Sequence, residues 1–257
     1  MMKNIVIVTC ARDLEQFQLL LLSMDRYLLD TVTLHVIWNQ AEPAPKFALT
    51  RHELRVYARQ QVCQVEGGGW HTQQLYKLFI HSYINDSYLI FDSQTGIIGP
   101  VTWDLLVAQA QLHDAVLPTR FLPFARRVSA PHGWIVRPML TAQTPFWFEH
   151  EVMMRIFSMY TRDQLINMFM QDPAPSEFML HELIRKNCTD IQYTGTCPHM
   201  QSFINTVHGY KTLLDPGRLI TSIPSTHWAK ARRVFLARLA LDYGQHIAYN
   251  RHYTGHV

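Results

Sequence analysis

Several features of membrane and secreted proteins are missing from this sequence. No stretch reaches the roughly 18 consecutive apolar residues that a membrane-spanning helix needs. The opening segment Met1–Thr9 has one lysine and an apolar run too short for a secretory signal. The four cysteines form no CxxC pair, which argues against a zinc knuckle or a disulfide framework. We therefore expect a cytoplasmic protein with reduced thiols.

Three catalytic motifs are also missing. No GxGxxG follows the first strand, so a dinucleotide cofactor is not indicated. His150-Glu151 and His181-Glu182 begin like the HExxH motif of zinc hydrolases, but Met154 and Arg185 stand where the second histidine is required. The GxSxG elbow of serine hydrolases is missing as well. These motifs give no reason to expect a dehydrogenase, a zinc protease or a serine hydrolase.

Composition places the chain in the globular class. It has 257 residues, of which 48% are hydrophobic and 17% charged, enough to bury a full core. A net charge of +3 fits an anionic ligand such as a nucleotide diphosphate without requiring nucleic acid. We expect one domain overall, with residues 1–225 as the main unit and residues 226–257 as a basic helix packed on it.

The N-terminal segment follows a strand, helix and strand pattern. Asn4–Thr9 is rich in β-branched residues, and Thr33–Trp38 is a second apolar run. Between them, apolar residues recur at helical spacing after Asp13, which is a suitable N-cap. This order predicts a parallel βαβ crossover and hence an α/β fold with a mainly parallel sheet.

The most informative stretch is Ser87–Pro100. Its uninterrupted apolar run Tyr88–Phe91 predicts a central strand covered on both faces. Asp92 then stands at the strand's carboxyl end, where open α/β sheets bind ligands. Capping of the following turn by Asp92 is an equally compatible interpretation.

A glycine-rich turn precedes the helix predicted over Trp70–Tyr83. Glycines let the backbone turn sharply and pass close to a ligand. One face of this helix is mostly polar and the other apolar. An ordinary amphipathic surface helix has the same division, whereas in a binding protein the polar face would point at the ligand. The polar face consists of Trp70, Gln73, Gln74, Lys77 and His81.

Other segments carry weaker patterns. We expect a polar helix from about Thr50 to Gln61, a short strand over Val62–Glu66 and a last basic helix over Trp228–Asn250. The segment Pro118–Pro138 mixes arginines with aromatic residues, which suits either a binding surface or a loop-rich β-region, and we expect the latter.

Five segments of the chain, taken in order, resemble a family of nucleotide-sugar glycosyltransferases with the GT-A fold. The resemblance covers about Lys3–Asn187 and implies a Rossmann-like, mainly parallel sheet with a helical C-terminal extension. The segments are IVIVTCARDLE, GGWHTQQLYKL, LIFDSQTGIIGPV, TPFWF and PSEFMLHELI.

The resemblance implies a divalent ion, Mn²⁺ or Mg²⁺, held by a DxD motif against the donor diphosphate. In this chain the motif is altered to Asp92-Ser93-Gln94, so one negative charge is lost. An amide oxygen can still coordinate such ions. The implied metal ligands are Asp92, Gln94 and a C-terminal histidine, for which His208 is the first candidate and His227 and His252 are alternatives.

The resemblance also assigns roles around a nucleotide-sugar donor, most naturally a UDP-sugar. The donor would contact Thr9, Cys10, Arg12, Asp13, Trp70, Gln73, Gln74, Lys77, Ser93 and Gln94. The acceptor would contact Trp147, Glu149 and His181. Catalysis would rest on Asp92 and on Glu177, whose carboxylate would act as the general base. Capping of a helix by Glu177 explains the same position without catalysis.

Three functions remain open at this point. The first is sugar transfer from a nucleotide sugar to a hydroxyl of a glycan. The second keeps this chemistry with nucleic acid as acceptor, for instance a hydroxylated base in DNA, which the basic segments favour. The third is a catalytically inactive GT-A-like protein that binds a nucleotide or a glycan, which the altered DxD motif favours.

Overall fold

The computed structural model describes most of the first 191 residues and two short segments beyond them. The described residues are 2–47, 51–65, 69–97, 99–111, 119–136, 144–191, 202–203 and 220–222. The predicted C-terminal helix over residues 226–257 lies outside them, as does the boundary at residue 225. Within the described part, no helix combines the length and apolar composition that crossing a membrane requires.

The N-terminal βαβ unit has the predicted form. Strand β1 covers Asn4–Thr9, helix α1 covers Leu14–Tyr27 and strand β2 covers Thr33–Trp38, parallel to β1. Phe17, Leu20, Leu21 and Met24 recur at helical spacing on the buried face of α1. The crossover is confirmed because two apolar strands and one apolar helix face can bury each other.

Within the described residues, the main sheet has five strands in the order β3-β2-β1-β4-β6. Strands β3 (Glu53–Ala58) and β4 (Tyr88–Asp92) continue the parallel part, and β6 (Phe146–Phe148) runs antiparallel to β4. The chain moves outward from β1 to β3 and then returns to the other side of β1. The result is a mixed α/β fold with a mostly parallel, Rossmann-like sheet.

Strand β4 is covered on both faces, as its apolar run predicts. Tyr88 and Ile90 pack into the core cluster that contains helices α3 (Trp70–Phe79) and α9 (Glu177–Cys188). Leu89 and Phe91 pack into the cluster that contains α1. This alternation follows from the two-residue period of a strand. Because β4 is fixed between two cores, it holds Asp92 in place at its end.

Helices flank the sheet on both faces. They are α2 (Arg59–Val62), α3 (Trp70–Phe79), α4 (His81–Ile84), α5 (Trp103–Gln111), α6 (Leu122–Ser129), α7 (His150–Met159), α8 (Arg162–Gln171) and α9 (Glu177–Cys188). Helix α8 begins with a capping box, in which Thr161 accepts a bond from the Gln164 N–H at 3.3 Å and Gln164 accepts one from the Thr161 N–H at 2.8 Å.

A small second sheet lies next to the end of β4. Strand β5 (Thr95–Ile97) pairs antiparallel with β8 (Ile220–Ser222), and β8 pairs parallel with β7 (Ser202–Phe203). Ser93 and Gln94 form the turn between β4 and β5. The segment Asp92-Ser93-Gln94 is therefore the junction between the two sheets.

The expected helix from Thr50 to Gln61 is wrong. Glu53–Ala58 forms strand β3, and only Arg59–Val62 is helical in this part of the described chain. Strand β3 lies at the edge of the sheet, and its side chains are exposed or half-buried. An edge strand needs no continuous apolar run. The spacing of apolar residues therefore does not identify β3 as a strand.

The expected loop-rich β-region over Pro118–Pro138 is also wrong in its described part. Leu122–Ser129 forms helix α6, with a proline in its first turn. Proline is tolerated there because its missing N–H has no intrahelical partner in any case. Phe124, Ala125 and Val128 form the buried face of the helix.

Candidate functional site

A cavity opens at the carboxyl ends of β1 and β4. These strands are parallel neighbours, with Val8 opposite Asp92. The strand order reverses between them, because β2 and β3 extend from one side of β1 and β4 lies on the other. Such a switch point is where open α/β sheets bind ligands. The cavity measures about 290 Å³.

Most of the predicted donor residues line this cavity. They come from the turn after β1, from helix α3 and from the turn after β4. They are Arg12, Asp13, Trp70, Gln73, Gln74, Lys77, Ser93 and Gln94. Asp92, predicted as a catalytic residue and metal ligand, lines the cavity as well. Thr9 and Cys10 are buried beside these residues and are not part of the lining. The fold thus brings together side chains more than 80 positions apart in sequence.

Lys77 is the buried cation of the site. Its Nζ lies 3.2 Å from Asp92 Oδ1 and 3.0 Å from Glu177 Oε1, and the residue is only 5% exposed. Burial by itself lowers the pKa of Lys77, but the two carboxylates outweigh it, and the pKa is raised. The ammonium also lies 4.9 Å from the centre of the Phe178 ring. Lys77 therefore stays charged at the cavity wall.

Glu177 lies beneath the cavity and does not line it. Its side chain is fully buried at the first turn of α9, where Ser176 provides the N-cap. Burial raises the pKa of Glu177, although the nearby Lys77 ammonium acts in the opposite direction. The carboxylate faces Lys77, so in this conformation it has no direct access to an acceptor hydroxyl.

Asp92 presents the accessible carboxylate at the end of β4. Its side chain is 49% exposed. Oδ1 pairs with Lys77, and Oδ2 accepts a hydrogen bond from the Thr144 hydroxyl at 3.1 Å. Two donors from different elements therefore fix its orientation toward the cavity.

The turn after β1 carries a second, more exposed charge pair. Arg12 donates to Asp13 Oδ1 at 3.1 Å and to Oδ2 at 3.4 Å, and the Arg12 side chain is 75% exposed. Asp13 occupies the N-cap position of α1, but its side chain makes no capping bond. Instead it also accepts a bond from the Cys10 thiol at 3.6 Å. The Arg12 guanidinium can therefore turn toward an anion in the cavity.

The aromatic part of the cavity includes residues that sequence reasoning did not assign to the site. Phe121 stacks on Trp70 with ring centres 5.9 Å apart, and the Arg120 guanidinium lies 4.5 Å from the Phe121 ring centre. All three line the cavity. The mixture of arginine and aromatic residues in Pro118–Pro138 was the sequence feature that indicated a binding surface there. The sequence alone does not show that Arg120 and Phe121 lie beside Trp70.

The two glutamines of helix α3 differ in their freedom. Gln74 is buried and donates through Nε2 to the Trp70 carbonyl at 3.2 Å, within its own helix. Gln73 is half-buried. Both side chains line the cavity. Because the Gln74 amide is already bonded within its own helix, Gln73 is the better placed of the two to contact a ligand.

The three predicted acceptor residues do not line this cavity. Trp147 packs against Trp103 in the core on the α1 side of the sheet. His181 is fully buried, stacks on Phe148 and accepts the Glu149 N–H through Nε2 at 3.2 Å. The proton of His181 therefore lies on Nδ1, which is 3.7 Å from the carboxylate of Glu182.

Glu182 belongs to a buried ion network away from the cavity. Arg185 donates to both of its oxygens, at 2.8 and 2.7 Å. Burial alone raises the pKa of Glu182, but the hydrogen bonds from Arg185 and the nearby His181 imidazole outweigh it and lower the pKa to about 2. The polar residues in the middle of α9 therefore have a structural role, because they satisfy one another's charges and polar groups inside the protein.

The donor set is poor for a divalent ion. Asp92 supplies one carboxylate, whose oxygens contact Lys77 and Thr144, and Gln94 supplies an amide. His208 lies outside the described residues. Among the residues that are described, no three His, Cys, Asp or Glu side chains form a group that could hold a metal. Ions such as Mg²⁺ keep several waters and are usually bound by one or two carboxylates together with substrate phosphates, so Asp92 and Gln94 would need water and the donor's phosphate oxygens to complete the coordination of Mn²⁺ or Mg²⁺.

The site combines a fixed cation, an accessible carboxylate, exposed arginines and an aromatic surface at a sheet switch point. This combination suits an anionic ligand that also carries a ring. Comparison with models of known protein families and with curated proteins gives no match for this chain.

Proposed function

We propose that the protein is a GT-A-like glycosyltransferase that binds a nucleotide sugar, in the first place a UDP-sugar, in this cavity. It transfers the sugar to a hydroxyl of a glycan or of a hydroxylated base in DNA. The position of the cavity at the switch point between β1 and β4 carries this proposal, since α/β sheets bind nucleotides there.

The charges around the cavity suit a diphosphate. Arg12 and Arg120 are exposed and can form charge-assisted hydrogen bonds with phosphate oxygens. Lys77 adds a buried, fixed charge whose position two carboxylates determine. Fixed charge near a leaving group stabilises the negative charge that develops there during transfer.

The aromatic surface suits the ring of the donor. Trp70 is 38% exposed, so part of its indole ring is free to stack with a base or a sugar. Phe121 supports it from within the protein. In the proposal Trp70 and Phe121 orient the donor, while Arg12 and Arg120 hold its phosphates.

The proposed reaction breaks the bond between the anomeric carbon and the diphosphate oxygen, which keeps the electron pair. The acceptor oxygen bonds to that carbon and loses its proton. Asp92 is the carboxylate that faces the cavity, so it is the proposed proton acceptor. Glu177 contributes by holding Lys77, since its own carboxylate is buried.

The test is calorimetric binding of UDP to the wild type and to Arg120→Ala. A lost charged hydrogen bond costs about 1.5–3 kcal/mol, so we expect at least about tenfold weaker binding. Arg126→Ala is the matched control, because Arg126 is exposed on α6 and does not line the cavity. Equal UDP affinity in all three proteins would contradict the site assignment.

Binding without transfer is the second candidate function. The burial of Glu177 favours it, because the carboxylate predicted as general base does not reach the cavity. A panel of nucleotide sugars, assayed for hydrolysis and for transfer to glycans and to hydroxylated DNA, separates the two. UDP binding with no turnover of any donor would support the inactive binding protein.

A further inference from the structure

A second cavity lies at the other end of helix α3, between α3, α4, α7 and α8. It measures about 280 Å³ and shares no lining residue with the first. Phe79, Met154 and Phe157 supply apolar walls. A volume at the lower end of the range for ligand sites suits a small molecule with one or two rings.

His81 gives this cavity an unsatisfied polar group. The residue lines the cavity, is 3% exposed, and neither of its ring nitrogens has a hydrogen-bond partner in the described part of the chain. The centre of its ring lies 5.9 Å from the centre of the Phe157 ring and 5.2 Å from the centre of the His150 ring. A buried polar group without a hydrogen-bond partner destabilises the fold. A ligand that bonds to His81 would recover part of this cost.

Arg162 adds a cation to the same cavity. Its guanidinium lies 4.2 Å from the Phe79 ring centre and donates to the Val62 carbonyl. Among the described residues, no carboxylate lies within 4.0 Å of it to form an ion pair. An exposed guanidinium beside aromatic rings, with no carboxylate partner among the described residues, favours an anionic group on the ligand.

We propose that this second cavity binds a small aromatic carboxylate. The ring packs against the cavity wall formed by Phe79, Phe157 and Met154, and the carboxylate accepts hydrogen bonds from Arg162 and from one ring N–H of His81. Apolar walls alone would accept any hydrophobic molecule. The pairing of a cation with an unsatisfied imidazole selects the carboxylate.

Benzoate is the probe, with benzyl alcohol as its neutral counterpart, and calorimetry on the full chain is the measurement. We expect benzoate to bind at least tenfold more tightly than benzyl alcohol. His81→Phe and Arg162→Met should each weaken benzoate binding at least fivefold. Arg120→Ala should leave it unchanged, because Arg120 belongs to the first cavity.

A second measurement does not depend on the variants folding. Benzoate bound to the wild type should show intermolecular NOEs from its ring protons to the Met154 methyl group. Loss of benzoate binding in Arg120→Ala would place the ligand in the first cavity and overturn the proposal. Failure of benzoate to bind the wild type would overturn it as well.

Discussion

At the residue scale, the contacts of Lys77 separate two carboxylates with different roles. Glu177 is buried beneath the cavity, whereas Asp92 is half-exposed and faces it. Sequence position alone places Glu177 in the first turn of a helix, and such a residue can face a cleft or the core. The packing of α9 decides between them, since it turns Glu177 toward Lys77 at 3.0 Å. The same limit applies to His181, which sequence reasoning assigned to the acceptor and which the structure places in the core.

Glu177→Gln tests the structural role of this carboxylate. The change removes one partner of a buried ion pair, which typically costs about 3–5 kcal/mol. Asp92 remains as a second partner of Lys77, so we expect a loss of about 3 kcal/mol in the free energy of unfolding. Urea denaturation at pH 7 measures it.

The control for this prediction is Glu53→Gln, which breaks the exposed pair with Arg55 at 2.7 Å. We expect no measurable change there, because surface ion pairs contribute little. If Glu177→Gln unfolds at the same urea concentration as the wild type, the ion pair with Lys77 does not stabilise the fold.

Gln94→Asp tests the metal site that the family resemblance implies. The protein supplies one carboxylate and one amide, so we expect Mn²⁺ to bind weakly without nucleotide and more tightly with UDP, whose oxygens add ligands. The variant adds a hard anionic oxygen and should bind Mn²⁺ several-fold more tightly in both states. Mn²⁺ titration by calorimetry measures this, with Gln73→Asp as a control on the same cavity.

Two outcomes would contradict this expectation. Tight Mn²⁺ binding by the nucleotide-free wild type would show that further ligands complete the site. An equal gain in Gln94→Asp and Gln73→Asp would show that added charge matters and that the position of Gln94 does not.

At the element scale, the sequence predicts buried elements well and exposed ones poorly. Strands β1, β2 and β4 and helix α1 each carry an apolar pattern that matches their burial. Strand β3 does not, because an edge strand exposes much of its surface. Helix α6 was not predicted because its segment contains a proline, which usually interrupts a helix. This proline stands in the first turn, where helices tolerate it.

The residues of the site also divide into those that the sequence predicts and those that it does not. Residues after β1 and β4 and on α3 could be predicted, because the carboxyl ends of neighbouring parallel strands meet at one edge of a sheet. Arg120 and Phe121 could not be predicted as site residues, because no local sequence pattern shows that their segment packs beside Trp70. Their contribution depends on tertiary packing alone.

Thr161→Ala tests how much one helix start contributes. The hydroxyl of Thr161 accepts the Gln164 N–H, so its loss should cost about 1 kcal/mol in the free energy of unfolding. Thr161→Ser keeps the hydroxyl and should restore most of the stability. Urea denaturation of both variants measures this, and equal losses would show that the methyl group, not the cap, is responsible.

At the scale of the whole molecule, two buried histidines link stability to pH. Burial is the main cause that lowers the pKa of His35 and of His81 to about 4, with smaller effects from Arg55 on His35 and from His150 on His81. Glu53 and Asp86 act in the opposite direction. The folded protein therefore prefers both imidazoles neutral, whereas the unfolded chain protonates them near its ordinary pKa of about 6.5.

The sign of the pH dependence follows from this difference. The stability from the neutral histidines is fully present above pH 6.5 and is lost as the pH falls toward 4, because only the unfolded chain binds protons in that range. For two groups the free energy of unfolding should fall by up to about 3 kcal/mol per pH unit between pH 6 and 5. Glu182 adds a separate loss at lower pH, since its pKa of about 2 places its protonation in the folded state below this range.

Urea denaturation between pH 7 and 4.5 measures this slope in the wild type and in His81→Phe. The variant removes one titrating group and fills its place with an apolar ring, so the slope should fall to about half. His132→Phe is the matched control, because His132 is exposed and hydrogen-bonds to Tyr160 at the surface. If the slope in His81→Phe equals that of the wild type, His81 does not remain neutral in the folded protein, and acid destabilisation has another source.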